Sequence, residues 1–169
     1  MIDTRTHLRI RAAERGDVDL LLTIQREAAV AAFAHVFPQD RYPFPDDAIR
    51  VGWETALTDL ELEVYVAEWD RKPAGSLSVG EEYLRTLFVV PAYQRRGIGS
   101  ALHDFALERL RARGIGRAKL WTLEENHAAR RFYERRGWAL TEETRVVPFP
   151  PNPIDVEYAK ELEAFDPER

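Results

Sequence analysis

Residues Leu87 to Leu102 constrain this chain more than any other stretch. Leu87-Phe88-Val89-Val90 is an unbroken apolar run rich in β-branched residues, the pattern of a buried strand. Pro91 has no N–H to give to a ladder and ends the strand. From Ile98 onward, Ile98, Leu102, Phe105 and Leu110 recur on one helical face. Asp104 and Glu108 fall on another face, and Gly114 is placed to stop the helix. The loop between them is short, basic and glycine-containing. A helix N-terminus presents unpaired N–H groups and a partial positive charge. Gly97 and Gly99 let an anion approach those amides, and Arg95 and Arg96 add fixed positive charge. These pieces describe a seat for a pyrophosphate. The bland alternative, a turn with solvated arginines, is weakened by the strand before and the helix after.

Two familiar phosphate loops do not fit. No G-x-x-x-x-G-K-[ST] string occurs, and Leu102 stands where the dinucleotide fingerprint needs a third glycine or alanine. What Gln94-Arg95-Arg96-Gly97-Ile98-Gly99 resembles, behind its strand and proline, is the acyl-CoA motif Q/R-x-x-G-x-G/A of the GNAT N-acetyltransferases. A second stretch resembles the other signature of that family, an asparagine followed by A-x-x-F/L-Y-x-x-x-G-F/W. Asn126, Ala129, Phe132, Tyr133, Gly137 and Trp138 fall in its places. Read from the residues alone, Asn126 is as well explained as a helix N-cap and Tyr133 as core.

The remaining chain is ordered as one α/β domain over residues 1–169. Leu8 to Ala13 alternates as a first strand, and a helix runs from Val18 to about Phe33 with Leu20, Leu21, Ile24, Ala28, Ala31 and Ala32 as its apolar face. Residues 33–45 are dense in aromatics and prolines. A second helix starts at Asp46 or Asp47, with Ile49, Trp53 and Leu57 on one stripe. Leu62 to Trp69 and Gly75 to Val79 form an antiparallel hairpin around Asp70-Arg71-Lys72-Pro73. Glu81 to Val90 is the next strand, and Lys119 to Leu123 lies parallel to it after the helix. A helix from Asn126 to Arg136, a strand from Trp138 to Thr141, a proline-rich loop at 148–153 and a strand from Asp155 to Leu162 follow, with a frayed tail. The expected architecture is the GNAT acyl-CoA N-acyltransferase fold, a mixed sheet of six to seven strands flanked by helices.

The resemblance implies an acetyl-CoA-dependent N-acetyltransferase in which a primary amine, of a small molecule, attacks the thioester directly. An absent cysteine and an absent G-x-S-x-G elbow agree with a reaction that forms no acyl-enzyme. By the same resemblance, Leu87, Phe88, Val89, Gln94, Arg95, Arg96, Gly97, Ile98, Gly99, Ser100, Asn126 and Tyr133 hold acetyl-CoA. The Val89 backbone polarises the carbonyl, Asn126 bonds the coenzyme arm and Tyr133 serves the leaving thiolate. Many family members carry a glutamate on the strand before the loop, but that position here is Tyr83. Glu81, Glu82, Tyr83, His35 and bulk water all remain open as the base. His35, Phe37, Tyr42, Phe44 and Tyr83 are the expected acceptor-pocket wall, with a local hydrophobic cluster as the alternative for the 33–45 segment. Acetylation of a protein N-terminus or lysine, and a catalytically weak acyl-CoA sensor, are the competing functions.

Composition narrows the partners. A net charge of −5 gives no sign of nucleic-acid binding. No apolar run approaches a membrane span, and Met1 to Arg11 has no signal-peptide core, so a cytoplasmic protein is expected, with a homodimer allowed. His7, His35, His103 and His127 are scattered and no metal is expected.

Overall fold

Seven strands, β1 (Leu8–Ala12), β2 (Leu62–Trp69), β3 (Lys72–Gly80), β4 (Tyr83–Val89), β5 (Arg117–Leu123), β6 (Ala139–Val146) and β7 (Ile154–Glu161), form one sheet in the order β1-β2-β3-β4-β5-β7-β6. All neighbours are antiparallel except β4 and β5. The computed structural model describes residues 4–163, and the frayed tail read from the sequence lies outside them. After a single turn, α1 (Thr4–His7), come α2 (Val18–Ala32), α3 (Asp46–Ala56), α4 (Ile98–Ala112) and α5 (His127–Glu134).

The two sheet faces carry separate cores. Against α4 lie Leu77, Val79 and Leu84, closed by Ile98, Leu102 and Leu110. On the other face Leu21 and Ile24 of α2 and Trp53 of α3 cover Val64, Val66 and Val90. Ala31 and Ala32, expected in the apolar face of α2, are exposed because the last turn of that helix outruns the sheet. The expected Glu81–Val90 strand also begins later. Glu81 lies in the β3–β4 turn with φ of 53°, and so shares no strand face with Tyr83.

One irregularity in β4 governs the site. Ser78 pairs with Thr86 but Val79 pairs with Leu84, so Arg85 is an extra, bulged residue. A bulge bends its strand and flips the alternation beyond it. Tyr83 therefore shares a face with Thr86 and Phe88, toward α2 and α3, while Leu84, Leu87 and Val89 face α4. Past the bulge β4 leaves its parallel neighbour. The two strands are in register only at Tyr83 and Lys119, where the Lys119 N–H donates to the Glu82 carbonyl at 2.9 Å.

The α5–β6 junction is locked to α4 through His103. Trp138 Nε1, which can only donate, reaches His103 Nε2 at 2.9 Å. The ring proton must then sit on Nδ1, which donates to Asp104 Oδ1 at 3.0 Å. Burial pushes the His103 pKa below its ordinary 6.5, outweighing the opposing pull of Asp104. The unfolded chain thus takes up a proton near 6.5 that the folded chain resists. The contribution is complete above about pH 6.5 and is lost as pH falls toward the folded value. Thermal melts should show Tm dropping between about pH 7 and about pH 5.5. His103→Gln keeps an acceptor for Trp138 and should flatten that slope, whereas an unchanged slope would assign it to other groups.

Candidate active site

The 91–100 segment turns sharply. Pro91–Tyr93 forms one 3₁₀ turn, Arg95 (φ 61°) and Gly97 (φ 79°) are left-handed, and α4 starts at Ile98. Left-handed residues interleaved with Arg96 turn successive amides toward one concave side, a geometry that suits anions. Gly97 caps α4 without a side chain, and the first intrahelical bond is Ala101 N–H to the Gly97 carbonyl. The amides of Ile98, Gly99 and Ser100 therefore stay at the open helix end. Ile98 is itself buried, so its contribution to an anion is confined to the backbone. The Arg96 guanidinium lies over the Trp69 and Tyr93 rings, 5.5 and 5.4 Å from their centroids, while Arg95 is exposed. A further cation, overlooked in the sequence, joins them: Arg136 donates to Ser100 Oγ at 2.5 Å and stacks 3.6 Å from the Phe132 ring centre.

Where β4 and β5 part, a cavity of about 640 Å³ opens between them. Leu84 to Phe88 line one side and Trp121 to Leu123 the other, with Asn126 and Tyr133 of the α5 region at one end. Backbone alternation sets which amides face the gap. Val90 donates to the Ala74 carbonyl at 2.8 Å across β3. Phe88 and Thr86 follow Val90 in bonding β3, which turns the Leu87 and Val89 N–H groups toward β5. Those two amides have lost their strand partner to the splay.

Tyr133 is buried between Phe132 and Trp138, with ring centres 5.3 and 5.9 Å away. Burial pushes its phenol well above the ordinary value, against a small opposing effect of Arg136, so it holds its proton at neutral pH. Its hydroxyl has no hydrogen-bond partner among the described residues. Asn126 performs the capping role that its position allowed, accepting from the Ala129 N–H at 3.2 Å. That bond uses Oδ1 and leaves the side-chain NH₂ available beside the cavity.

Phe37, Tyr42 and Phe44 line the cavity as a wall, joined by Phe33 and Phe149. His35 does not. It is exposed, with Nε2 3.0 Å from the Glu125 carbonyl, and ties the α2–α3 connection to the β5–α5 loop. An adjoining cavity of about 670 Å³ contains Glu81 and Tyr83 and shares Leu84, Arg85, Thr86 and Trp121 with the first. Glu82 is paired with Lys119 at 3.6 Å. The Tyr83 hydroxyl donates to Glu157 at 3.1 Å, and Thr141 Oγ1 reaches the other oxygen of that carboxylate, also at 3.1 Å. Burial and this hydrogen bond raise the Tyr83 pKa. Glu157 on β7 is only 4 % exposed, and sequence reading passed over it. Its signal was Asp155 and Glu157 alternating with apolar Val156 and Tyr158, two carboxylates on one face of an interior strand. Among the described residues no group of three or more His, Asp or Glu side chains is arranged to hold a metal, and no helix is long and apolar enough to cross a membrane.

A parted parallel pair and a buried phenol line one cavity, and a basic turn sits at the N-terminus of α4. Residues 22–138 match the model of the acetyltransferase (GNAT) family. Over 142 residues the chain is 32 % identical to an uncharacterized N-acetyltransferase of Escherichia coli strain K12, YafP, covering 83 % of this chain and 87 % of that one. A mycothiol acetyltransferase of Beutenbergia cavernae is 48 % identical over 61 residues, but this covers 36 % of the chain and 20 % of that protein. In fold the chain resembles the PaiA N-acetyltransferase of Thermoplasma acidophilum in complex with coenzyme A, at TM-score 0.71 and 18 % identity over 92 % of this chain and 99 % of the other. The chain belongs to the GNAT family and is an acetyl-CoA-dependent N-acetyltransferase.

The left-handed Gly97 gives a direct check of the anion seat. Gly97→Glu introduces a carboxylate and a strained backbone there. Coenzyme A should no longer raise its Tm in differential scanning fluorimetry; a shift equal to that of the unaltered protein would place the diphosphate elsewhere.

Proposed function

We propose that this enzyme acetylates the primary amine of a small molecule by direct attack on the thioester. The observation carrying this reading is the cavity of about 640 Å³, a volume within the usual range of small-molecule sites. The 33–45 connection forms one of its walls, and its inner end reaches Tyr133.

The residues divide the work. Amides at 97–100, with Arg95 and Arg136, hold the diphosphate, and the Asn126 NH₂ bonds the coenzyme arm between β4 and β5. Leu87 and Val89 present preorganised N–H groups to the carbonyl oxygen as charge develops on it. The amine nitrogen bonds to the carbonyl carbon as the carbon–sulfur bond breaks, and Tyr133 gives its proton to the departing sulfur. The acceptor's own proton passes to the Tyr83 oxygen while Tyr83 hands its phenolic proton to Glu157, so the proton ends on the Glu157 carboxylate, which is thereby neutralised between the Tyr83 and Thr141 hydroxyls.

Thiol release from acetyl-CoA, measured with a panel of amines and peptides, tests the activity. Tyr133→Phe should lower kcat by about 10²–10⁴-fold with the acetyl-CoA Kd little changed. Full turnover in that variant would remove the phenol from the chemistry. Glu157→Gln should depress kcat with the acetyl-CoA Kd little changed, and undiminished kcat would exclude the relay.

A further inference from the structure

Resting on the acetyltransferase reading, we infer that the acceptor is an amine that also carries a carboxylate, on an apolar or aromatic skeleton. The net charge of the chain is −5, yet the charged residues lining the cavity between β4 and β5 are Arg41, Arg85, Arg145 and Asp155. Three cations against one carboxylate give this lining the opposite sign to the chain as a whole. All of them lie on the acceptor side, from the α2–α3 connection, β4, β6 and β7, and none belongs to the 95–100 turn that seats the diphosphate.

Two of these arginines are presented rather than merely nearby. Arg145 donates only its Nε to Asp155, at 3.0 Å, and its guanidinium lies 4.5 Å from the Trp121 ring centre. The stack and the single bond hold the plane still and leave both terminal amino groups without a protein acceptor among the described residues. Such a fork matches the two oxygens of a carboxylate. Arg85 is the bulged residue of β4, and a bulge re-aims the side chain it carries. It lines both cavities and has no hydrogen-bond or ion-pair partner among the described residues. Apolar surface from Phe33, Phe37 and Phe44 faces the skeleton of the acceptor. A polycation such as spermidine would meet like charge on every side except at Asp155.

The test compares phenylalanine, phenylalaninamide and phenethylamine as acceptors at equal concentrations of neutral amine, by thiol release from acetyl-CoA, with spermidine and a C-terminally amidated peptide without acidic residues alongside. Phenylalanine should exceed both carboxylate-free analogues in kcat/KM by about tenfold or more. Arg85→Gln and Arg145→Gln should shrink that ratio, chiefly through KM for phenylalanine, while their coenzyme A thermal shift reports that they are folded. Equal or faster acetylation of the analogues, of spermidine or of the peptide would overturn the acceptor class. So would an unchanged ratio in both variants, or turnover of none of the five while coenzyme A still raises Tm. Loss of the coenzyme A shift in the unaltered protein would instead remove the acetyltransferase reading, and the acceptor class with it.

Discussion

The parting of β4 from β5 is the constraint on which the rest of this structure depends. Parallel neighbours normally bond along their length, and unpaired backbone inside a sheet is costly. Here the bulge at Arg85 bends one strand after a single point of register, and β5 keeps its full ladder on the β7 side. The gap leaves amides at Leu87 and Val89 facing a cavity instead of a neighbour. Groups that a regular sheet would satisfy internally are left to serve as the donors that the proposed mechanism assigns to the reacting carbonyl.

Around this gap the molecule separates two kinds of electrostatics. At the α4 N-terminus, backbone amides, Arg95 and Arg136 form the proposed anion seat, close to solvent, where charge is screened and many weak donors suffice. Deeper in, single groups matter more. Tyr133 is kept protonated by burial. Glu157 is held by the hydroxyls of Tyr83 and Thr141. The 33–45 connection lines the same cavity as Tyr133, tied down where His35 meets the Glu125 carbonyl. One fold thus sets an open, basic turn beside a buried phenol and a buried carboxylate.

Tyr83 shows how far strand alternation can be trusted. In a regular strand it would lie with Leu87 and Val89, and Glu81 would lie with it. The bulge moves Tyr83 to the face of Thr86 and Phe88, and the left-handed turn removes Glu81 from the strand altogether. Both outcomes depend on backbone irregularities that no residue in the 81–90 stretch announces. Ala31 and Ala32 make the same point for helices, since their spacing is right for burial but the sheet ends before reaching them.

By itself the sequence determined the strand–turn–helix at 87–112, the element order, and Asn126 and Tyr133 as residues of interest. These are local: Pro91 lacks a donor, Gly97 tolerates a positive φ, and apolar period separates helix from strand. Only the tertiary structure decided which polar and charged groups gather around the cavities and the turn. Arg85, Arg136, Arg145, Asp155 and Glu157 are distant along the chain and ordinary in composition. They acquire meaning because β7 inserts between β5 and β6, and because α5 ends beside the start of α4. Charge and hydrogen bonding act through space over a few ångströms, and chain order carries no record of that distance.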